Sequence, residues 1–258
     1  MTHLSQGSHI ASILSIADII AVLYNDVAKV FPNDPKNPAR DRIILSKGHA
    51  GAAMYAALAE LGFFPIDWLK THYQNGSVLS GHVSHKGVPG VEYSTGSLGH
   101  GLSVGTGMAM AAKKDNKTHK VYVLLGDGEC DEGAVWEAAL FAHHFKLDNL
   151  IAIIDHNKMQ SLDYCEKTIS LEPFAQKWIA FGWHVQEIDG HNHNQIRDAL
   201  LKAKQSTNQP NMIIAHTIKG KGISYMENNI LWHYRYPHEG EEYSQAMAEL
   251  NVQKPAGI

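Results

Sequence analysis

The alternation of short apolar segments with helical patterns constrains the fold of this chain more than any other feature of its sequence. Strands are predicted at residues 41–46, 121–125, 150–155, 184–189 and 212–217. Helices are predicted between and beside them, at residues 17–26, 50–62, 98–114, 133–146, 173–181 and 194–205. Mostly apolar strands that alternate with helices are typical of parallel sheets buried on both faces. The sequence therefore predicts an α/β fold, with a parallel sheet covered by helices on both faces.

Two regions depart from this alternation. Residues 72–96 are rich in Gly, Ser and His and show no period, which predicts a long loop of the kind that often carries function. The pattern ends again near residue 223, where we predict an irregular tail rich in aromatic residues and His. No repeat or linker divides the 258 residues, so we expect a single domain over residues 1–258.

Composition and charge exclude several classes of protein. The net charge of −4 provides no basic field for nucleic acid or for an anionic membrane. No apolar stretch approaches the roughly 20 residues of a membrane helix, and the N-terminus lacks the pattern of a signal peptide. Cys130 and Cys165 form neither a metal-binding pattern nor a disulfide framework. We expect a cytoplasmic protein with reduced thiols and with no nucleic-acid or membrane partner.

The glycine-rich turn Gly126-Asp127-Gly128 follows the second predicted strand, a position where α/β proteins commonly bind phosphate groups. One interpretation is a dinucleotide site, in which Asp155 at the end of the next strand binds a ribose. The carboxylate of Asp127 weighs against this interpretation. It would repel a diphosphate at the turn unless a cation lies between them.

A second interpretation supplies that cation. Mg²⁺ prefers about six oxygen ligands, which protein and substrate phosphates can share. Asp127 would contribute a carboxylate oxygen, and the loop after the next strand would contribute the amide oxygen of Asn157 and the carbonyl of Met159. Backbone N–H groups of the helix over residues 133–146 would help to hold the diphosphate. The pattern therefore predicts a metal-bridged diphosphate, with Ca²⁺ or Mn²⁺ as alternatives to Mg²⁺.

A Gly-Asp-Gly turn followed by Asn157 after the next strand is similar to the signature of thiamine-diphosphate enzymes. More specifically, six segments in the expected order resemble the N-terminal, diphosphate-binding half of transketolase, and together they cover essentially the whole chain. They are SHIASILSIADIIAVLY, LSKGHAGAAMYAALAELG, GHVSHKGVPGVEYSTGSLGHGLSVGTGMAMA, GDGECDEGAVWEA, FGWHVQEIDGHN and HTIKGKG. The resemblance implies the thiamine-diphosphate-binding fold, with one diphosphate- and metal-binding domain.

The resemblance also implies roles for individual residues. The metal would be bound by Asp127, Asn157 and the carbonyl of Met159. The cofactor would be bound by His49, Gly96, Ser97, Leu98, Gly128, Glu132 and Asn157. The sugar and the reactive carbon of the cofactor would face His9, His49, His82 and His233. The family glutamates that link two active sites near the subunit contact would be Glu132 and Glu137, which we group with the catalytic residues.

The implied reaction is the transfer of a two-carbon ketol unit from a ketose, expected to be a phosphorylated one, to an aldehyde. The thiazolium ylid of the cofactor would add to the ketose carbonyl and accept the electron pair. Imidazoles suit the accompanying proton transfers because His changes charge near pH 7. The family activates its cofactor with a glutamate on a separate pyrimidine-binding domain, and we expect no such domain after residue 222. The resemblance therefore implies a partner chain that carries this domain, as a heterotetramer with two copies of each chain.

The sequence departs from the family pattern at one segment, and two alternative functions are compatible with it. After Trp232-His233 the family commonly has Gly-Lys-x-Pro, whereas Tyr234, Arg235 and Tyr236 precede Pro237 here. This difference argues against the ordinary pentose-phosphate substrates of the family. The first alternative is the α subunit of a 2-oxo-acid decarboxylating dehydrogenase, which shares the Gly-Asp-Gly and Asn pattern. The second is a non-catalytic regulatory subunit.

Overall fold

A computed structural model describes residues 1–252 and contains one five-stranded sheet. Its strands are β1 Arg42–Leu45, β2 Val121–Gly126, β3 Leu150–His156, β4 His184–Asp189 and β5 Asn211–His216. All neighbouring strands are parallel, in the order β1-β2-β3-β5-β4. The five predicted strands are thereby confirmed, each to within a residue or two.

Helices connect the strands and flank the sheet. They are α1 Thr2–Ser5, α2 Ile10–Ser15, α3 Ala17–Val22, α4 Gly51–Glu60, α5 His100–Lys114, α6 Gly133–His144, α7 Cys165–Thr168, α8 Phe174–Ala180, α9 His193–Gln205 and α10 Glu241–Val252. Helix α3 continues into a π-helical turn, Leu23–Val27. All six predicted helices are present, and the loop predicted over residues 72–96 contains neither helix nor strand.

The side chains of the central strands alternate between two cores. Tyr122 and Leu124 of β2 pack in the core that α3, α4 and α9 cover, whereas Val121 and Val123 pack in the core that α5, α6 and α8 cover. Successive side chains of a strand point to opposite faces. The burial of both sets explains why these strands are apolar at almost every position, and it confirms that helices cover both faces.

Glycines let α5 lie close to the sheet. A Cβ atom on Gly101 would overlap Ser46 at the end of β1, and a Cβ atom on Gly105 would overlap Cγ2 of Val123. Gly107 differs, because the space next to it is open. Two of the three glycines in this helix therefore serve close packing, and this packing holds the N-terminus of α5 beside the ends of β1 and β2.

The C-terminal tail is more regular than its sequence predicts. Helix α10 and the short 3-10 helix Ile230–His233 lie in the segment predicted to be irregular. Their buried apolar residues, Trp232 and Ala246, pack against Ala11 of α2 in a small third core. Since α10 buries so little, its sequence shows no strong period. The part of the predicted domain at residues 253–258 lies outside the described residues.

Over residues 1–252, no helix combines the length and the apolar character needed to cross a bilayer.

Candidate active site

A cavity of about 310 Å³ opens at the carboxyl ends of the central strands. It is lined by His9, Ser12, Lys47, His49, His82, Gly96, Leu98, Gly126, Asp127, Gly128, Glu129, Asn157, Met159, Gln160, Ser161, Lys219, His233 and Tyr234. The register of β2 and β3 pairs Gly126 with Asp155, which brings the two following loops side by side. This is the edge at which open parallel sheets bind ligands.

Most residues that the sequence singled out meet in this cavity. Those that line it are His9, His49, His82, Gly96, Leu98, Asp127, Gly128, Asn157, Met159 and His233. Three others do not line it: Ser97 is exposed between two lining residues, and Glu132 and Glu137 are exposed at the start of α6. The structure thus brings together the predicted metal, diphosphate and imidazole groups, and it leaves both glutamates on the surface.

Asp127 is a buried carboxylate at the tip of the glycine turn. Its side chain is 1% exposed. Its Oδ1 accepts a hydrogen bond of 2.8 Å from the backbone of Gly128, and its Oδ2 accepts one from the backbone of Lys158. Burial, together with the nearby charge of Asp155, raises the pKa of Asp127 to about 7. A carboxylate in such a position is stabilised by a cation, which would restore a low pKa.

Asn157 is oriented by Asp155. The Nδ2 of Asn157 donates to Asp155 at 2.7 Å, and Asp155 also accepts hydrogen bonds from Ser15, Lys47 and Thr217. Asp155 is fully buried, and hydrogen bonds to these four groups leave it no role as a ribose ligand. The dinucleotide interpretation is therefore wrong. The oxygen of the same amide accepts a hydrogen bond of 3.1 Å from the backbone of Met159, and both residues line the cavity.

The oxygen donors at this corner fit a metal ion that a ligand helps to bind. Asp127 supplies one charged oxygen, whereas Asn157 and the carbonyl of Met159 supply neutral ones. Within residues 1–252 no group of three His, Cys, Asp or Glu side chains is arranged to hold a metal. A hard cation would need further oxygens, and the phosphates of a bound ligand provide them. The Nζ of Lys219 lies 3.4 Å from the carbonyl oxygen of Met159, so an amino group already contacts one of these donors.

Four imidazoles form the opposite side of the cavity. The ring centre of His9 lies 5.0 Å from that of His49, 5.2 Å from that of His233 and 5.7 Å from that of His82. Burial and the neighbouring His82 lower the pKa of His9 to about 4. Burial and Lys219 lower the pKa of His233 to about 3. The pKa values of His49 and His82 also lie below the ordinary range because of burial. The imidazoles are therefore neutral at pH 7, and each has an unprotonated ring nitrogen that can accept a hydrogen bond.

His9 adopts an unusual backbone conformation where α2 begins. Its φ of 72° lies in the left-handed region, which costs a non-glycine residue about 1–2 kcal/mol. The conformation turns the chain so that the ring faces His49 and His233. Such strain is common at functional sites, where the surrounding structure holds the residue in place.

Sequence reasoning missed two buried lysines in the cavity. Lys47 lies two residues after the end of β1 and forms an ion pair with Asp155, while Lys219 lies three residues after the end of β5. Both lysines are 2% exposed. Burial and the charge of Lys47 lower the pKa of Lys219 to about 8. The available signal was a charged residue just beyond a buried strand, the same signal that pointed to Asp127.

Glu129 was also missed, and its role is to join three loops. One carboxylate oxygen accepts from the hydroxyl of Ser46 and from the backbone of Gly99, at 2.9 Å from the latter. The other accepts from the backbone of Gly126 at 3.1 Å. The side chain is 2% exposed, and burial raises its pKa. Nothing in the sequence distinguishes Glu129 from its acidic neighbours, because two of the three donors, Ser46 and Gly99, lie far from it in the chain.

Comparison with known proteins shows which family this chain resembles. The family model described as "Transketolase, thiamine diphosphate binding domain" matches residues 2–246. The 6-deoxy-6-sulfo-D-fructose transketolase subunit SqwG of Clostridium sp. (strain MSTE9) is 46% identical over 94% of this chain and 88% of its own. An apulose-4-phosphate transketolase subunit of Phocaeicola vulgatus is 44% identical over 96% of this chain and 87% of its own.

A solved structure agrees with these relatives. Transketolase from Campylobacter jejuni superposes with a TM-score of 0.90 at 33% identity, and the match covers 97% of this chain but 40% of that one. This chain therefore corresponds to less than half of such a transketolase, but to most of the length of the two subunits.

The fold and the cavity define a cofactor-dependent α/β enzyme domain, in which a glycine turn and oxygen donors meet a group of neutral imidazoles. The match over residues 2–246 and the identities of 44% and 46% then identify its family. The chain belongs to the transketolase family and carries the thiamine-diphosphate-binding domain of that family. The predicted family, fold and organic cofactor are confirmed. The match favours transketolase over the 2-oxo-acid dehydrogenase alternative.

Proposed function

We propose that this chain is the thiamine-diphosphate- and Mg²⁺-binding subunit of a two-chain transketolase, which transfers a two-carbon ketol unit from a ketose to an aldehyde. The observation that carries the proposal is the meeting of two sets of groups in one cavity. Oxygen donors around Asp127 and Asn157 form one side, and the neutral imidazoles around His9 form the other. The first set suits a metal-bound diphosphate, and the second suits proton transfer at a sugar hydroxyl.

The diphosphate end of the cofactor would be bound on the side of the cavity opposite the imidazoles. Asp127, Asn157 and the carbonyl of Met159 would bind the metal. Gly128 permits the close approach of the Gln160 side chain, since a Cβ atom on Gly128 would lie 2.7 Å from Cβ of Gln160, and its backbone would contact the diphosphate. We assign the organic part of the cofactor to the remaining predicted residues, namely His49, Gly96, Ser97, Leu98 and Glu132.

Thiamine diphosphate supplies a nucleophilic carbon and an electron sink for cleavage of the bond beside a ketone. The residues of this chain would provide the proton transfers and the environment. Neutral His9 and His233 can accept the proton of a sugar hydroxyl, and His49 and His82 can hydrogen-bond the oxygens near the reacting carbon. Buried Lys47 and Lys219 add positive charge, which stabilises oxyanions.

A partner chain would complete the site. Both of the relatives named above are described as subunits. Two exposed apolar side chains are close in sequence to residues that line the cavity: Leu162, 79% exposed, follows Ser161, and Leu231, 62% exposed, lies two residues before His233. We propose that a subunit with a pyrimidine-binding domain covers the mouth of the cavity, in a heterotetramer of two copies of each chain. Glu132 and Glu137, exposed on α6, would lie at the contact that links two active sites.

The donor would be a ketose with an anionic end. One relative is named for a sulfonated fructose, and the other for apulose 4-phosphate. We infer the same chemical class for this chain, with a phosphoketose as the first donor to test. The purified chain should be inactive alone and should gain transketolase activity with its partner on a panel of ketoses and aldehydes. Full activity of the chain alone contradicts the two-chain proposal, and no activity with the partner favours the non-catalytic alternative.

The metal assignment predicts that Asp127→Ala abolishes binding of thiamine diphosphate in Mg²⁺ buffer, because the diphosphate then meets no charged metal ligand. Isothermal titration calorimetry of the complex measures the affinity. Asp163→Ala is the matched control, since it removes an exposed carboxylate from the loop that follows Asn157. Unchanged affinity in Asp127→Ala contradicts the assignment.

A further inference from the structure

The outer wall of the cavity is an aromatic side chain that the proposed chemistry does not use. The ring centre of Tyr234 lies 4.6 Å from that of His233 and 5.4 Å from that of His9. The same residue is 62% exposed. Tyr234 therefore contacts the imidazoles on its inner side and solvent on its outer side. A substrate that approaches His9 and His233 from this side passes along its ring.

The neighbours of Tyr234 are fixed in place. Trp232 is buried at 3% exposure, and the guanidinium of Arg235 lies 4.6 Å above its ring. Arg235 also forms an ion pair of 2.8 Å with Glu242 of α10. The other carboxylate oxygen of Glu242 accepts from the backbone of His238 at 3.0 Å. Contacts on both sides of Tyr234 thus hold this segment against α10, and they make the ring a defined wall.

The charged residues near Tyr234 indicate which part of a substrate its ring can bind. Arg235 is engaged by Glu242, and the lysines at positions 47 and 219 are buried inside the cavity. Among residues 1–252, the phenol of Tyr234 has no hydrogen-bond partner. An aromatic face with a free hydroxyl suits an uncharged hydroxylated carbon chain, because C–H groups can pack on the ring and a hydroxyl can bond to the phenol.

We propose that Tyr234 determines acceptor specificity by binding the carbon chain of a hydroxylated aldehyde. The ring packs against the C–H face of the aldehyde, and the phenol forms one hydrogen bond with a hydroxyl of the same molecule. The inference rests on the proposed function, and it assigns a substrate class to one side of the cavity.

The experiment compares acceptors in the complete two-chain complex with a saturating ketose. Tyr234→Phe should raise KM for glyceraldehyde about 3- to 10-fold, the effect of one neutral hydrogen bond. It should leave kcat and the KM for propanal unchanged. Tyr234→Ala should raise KM for both aldehydes, because the ring contact is lost as well. Tyr236→Phe is the matched control, since it removes a phenol from the same segment outside the cavity.

The outcomes separate the two proposals. Absence of ketol transfer by the wild-type complex overturns the proposed function and this inference with it. Transfer by the wild type, together with an unchanged acceptor profile in Tyr234→Phe and Tyr234→Ala, overturns this inference alone. A selective rise in KM for glyceraldehyde, with unchanged affinity for thiamine diphosphate, supports it.

Discussion

The buried ion pair between Lys47 and Asp155 shows how single residues organise the cavity. Asp155 is fully buried, and it accepts from Lys47 while it also orients Asn157. Lys47 donates to the backbone carbonyl of Ser12 in α2 at 3.3 Å as well. The hydrogen bonds to the carboxylate and the charge of Lys47 outweigh burial and hold the pKa of Asp155 below its usual value. The pair therefore links β1, β3 and α2 beneath the proposed metal site.

Removal of one partner of this ion pair should destabilise the folded chain. We expect Lys47→Met to lower the free energy of unfolding by about 3–5 kcal/mol, because it leaves the carboxylate of Asp155 buried without its cation. Urea denaturation of the cofactor-free chain measures the change. Lys70→Met is the control, since Lys70 pairs with Asp67 at the surface, and it should cause no measurable change. Equal stability of the two variants contradicts a structural role for the buried pair.

At the scale of elements, the contact between α5 and the sheet positions the loops of the site. The glycines of this helix are not equivalent, because Gly105 faces Val123 of β2 while Gly107 faces open space. Helix α5 begins at the loop that contains Gly96 and Leu98, and Glu129 bonds to Gly99 at its start. A displacement of α5 would therefore move the cofactor-binding loop.

The two glycines provide a matched pair of substitutions. Gly105→Ala should destabilise the chain by about 1–2 kcal/mol, because overpacking against Val123 exceeds the gain in helix propensity. Gly107→Ala should be neutral or stabilising by up to about 1 kcal/mol, since it adds propensity without a clash. Thermal unfolding followed by circular dichroism distinguishes them. Destabilisation of the same size in both variants would show that helix packing is not the cause.

At the scale of the whole molecule, buried imidazoles make stability depend on pH. Burial lowers the pKa of four histidines to about 3 or 4, namely His9, His72, His156 and His233. In the unfolded chain they would bind a proton near pH 6.5. Between pH 6.5 and 4 the unfolded state therefore binds more protons, and stability falls as the pH falls. Asp127, whose pKa is raised to about 7, acts in the opposite sense, as do Glu92 and Glu129, whose pKa values are raised by burial.

His72 tests this dependence away from the cavity. It is 3% exposed, and burial is the main reason that its pKa falls to about 4. We expect His72→Phe to reduce the slope of unfolding free energy against pH by about 1.4 kcal/mol per pH unit between pH 6 and 4.5. Urea titrations of the cofactor-free chain at several pH values give the slope. His144→Phe, at an exposed position, should leave it unchanged. The same slope in His72→Phe and the wild type contradicts the prediction.

Sequence patterns predicted the fold where each element carries its own signal. Four of the five strands are mostly apolar, and the six longer helices that connect them show a period or end at glycine. Helix α10 carried no such signal, because it buries little beyond Ala246 and depends on contacts with Trp232 and α2. Likewise Glu129 resembles any acidic residue at a helix start, because its donors Ser46 and Gly99 come from distant loops and only Gly126 is near in sequence.

The sequence by itself determined the sheet, the covering helices and the family, because periodicity and ordered motifs are local properties of the chain. It also placed Asp127 and Asn157 at the ends of neighbouring strands. Only the tertiary structure decided that Asp155 orients Asn157 instead of binding a ribose, and that Lys47 and Lys219 enter the cavity. It alone placed Tyr234 beside His9. These facts depend on contacts between residues far apart in the sequence, and such contacts form only when the chain has folded.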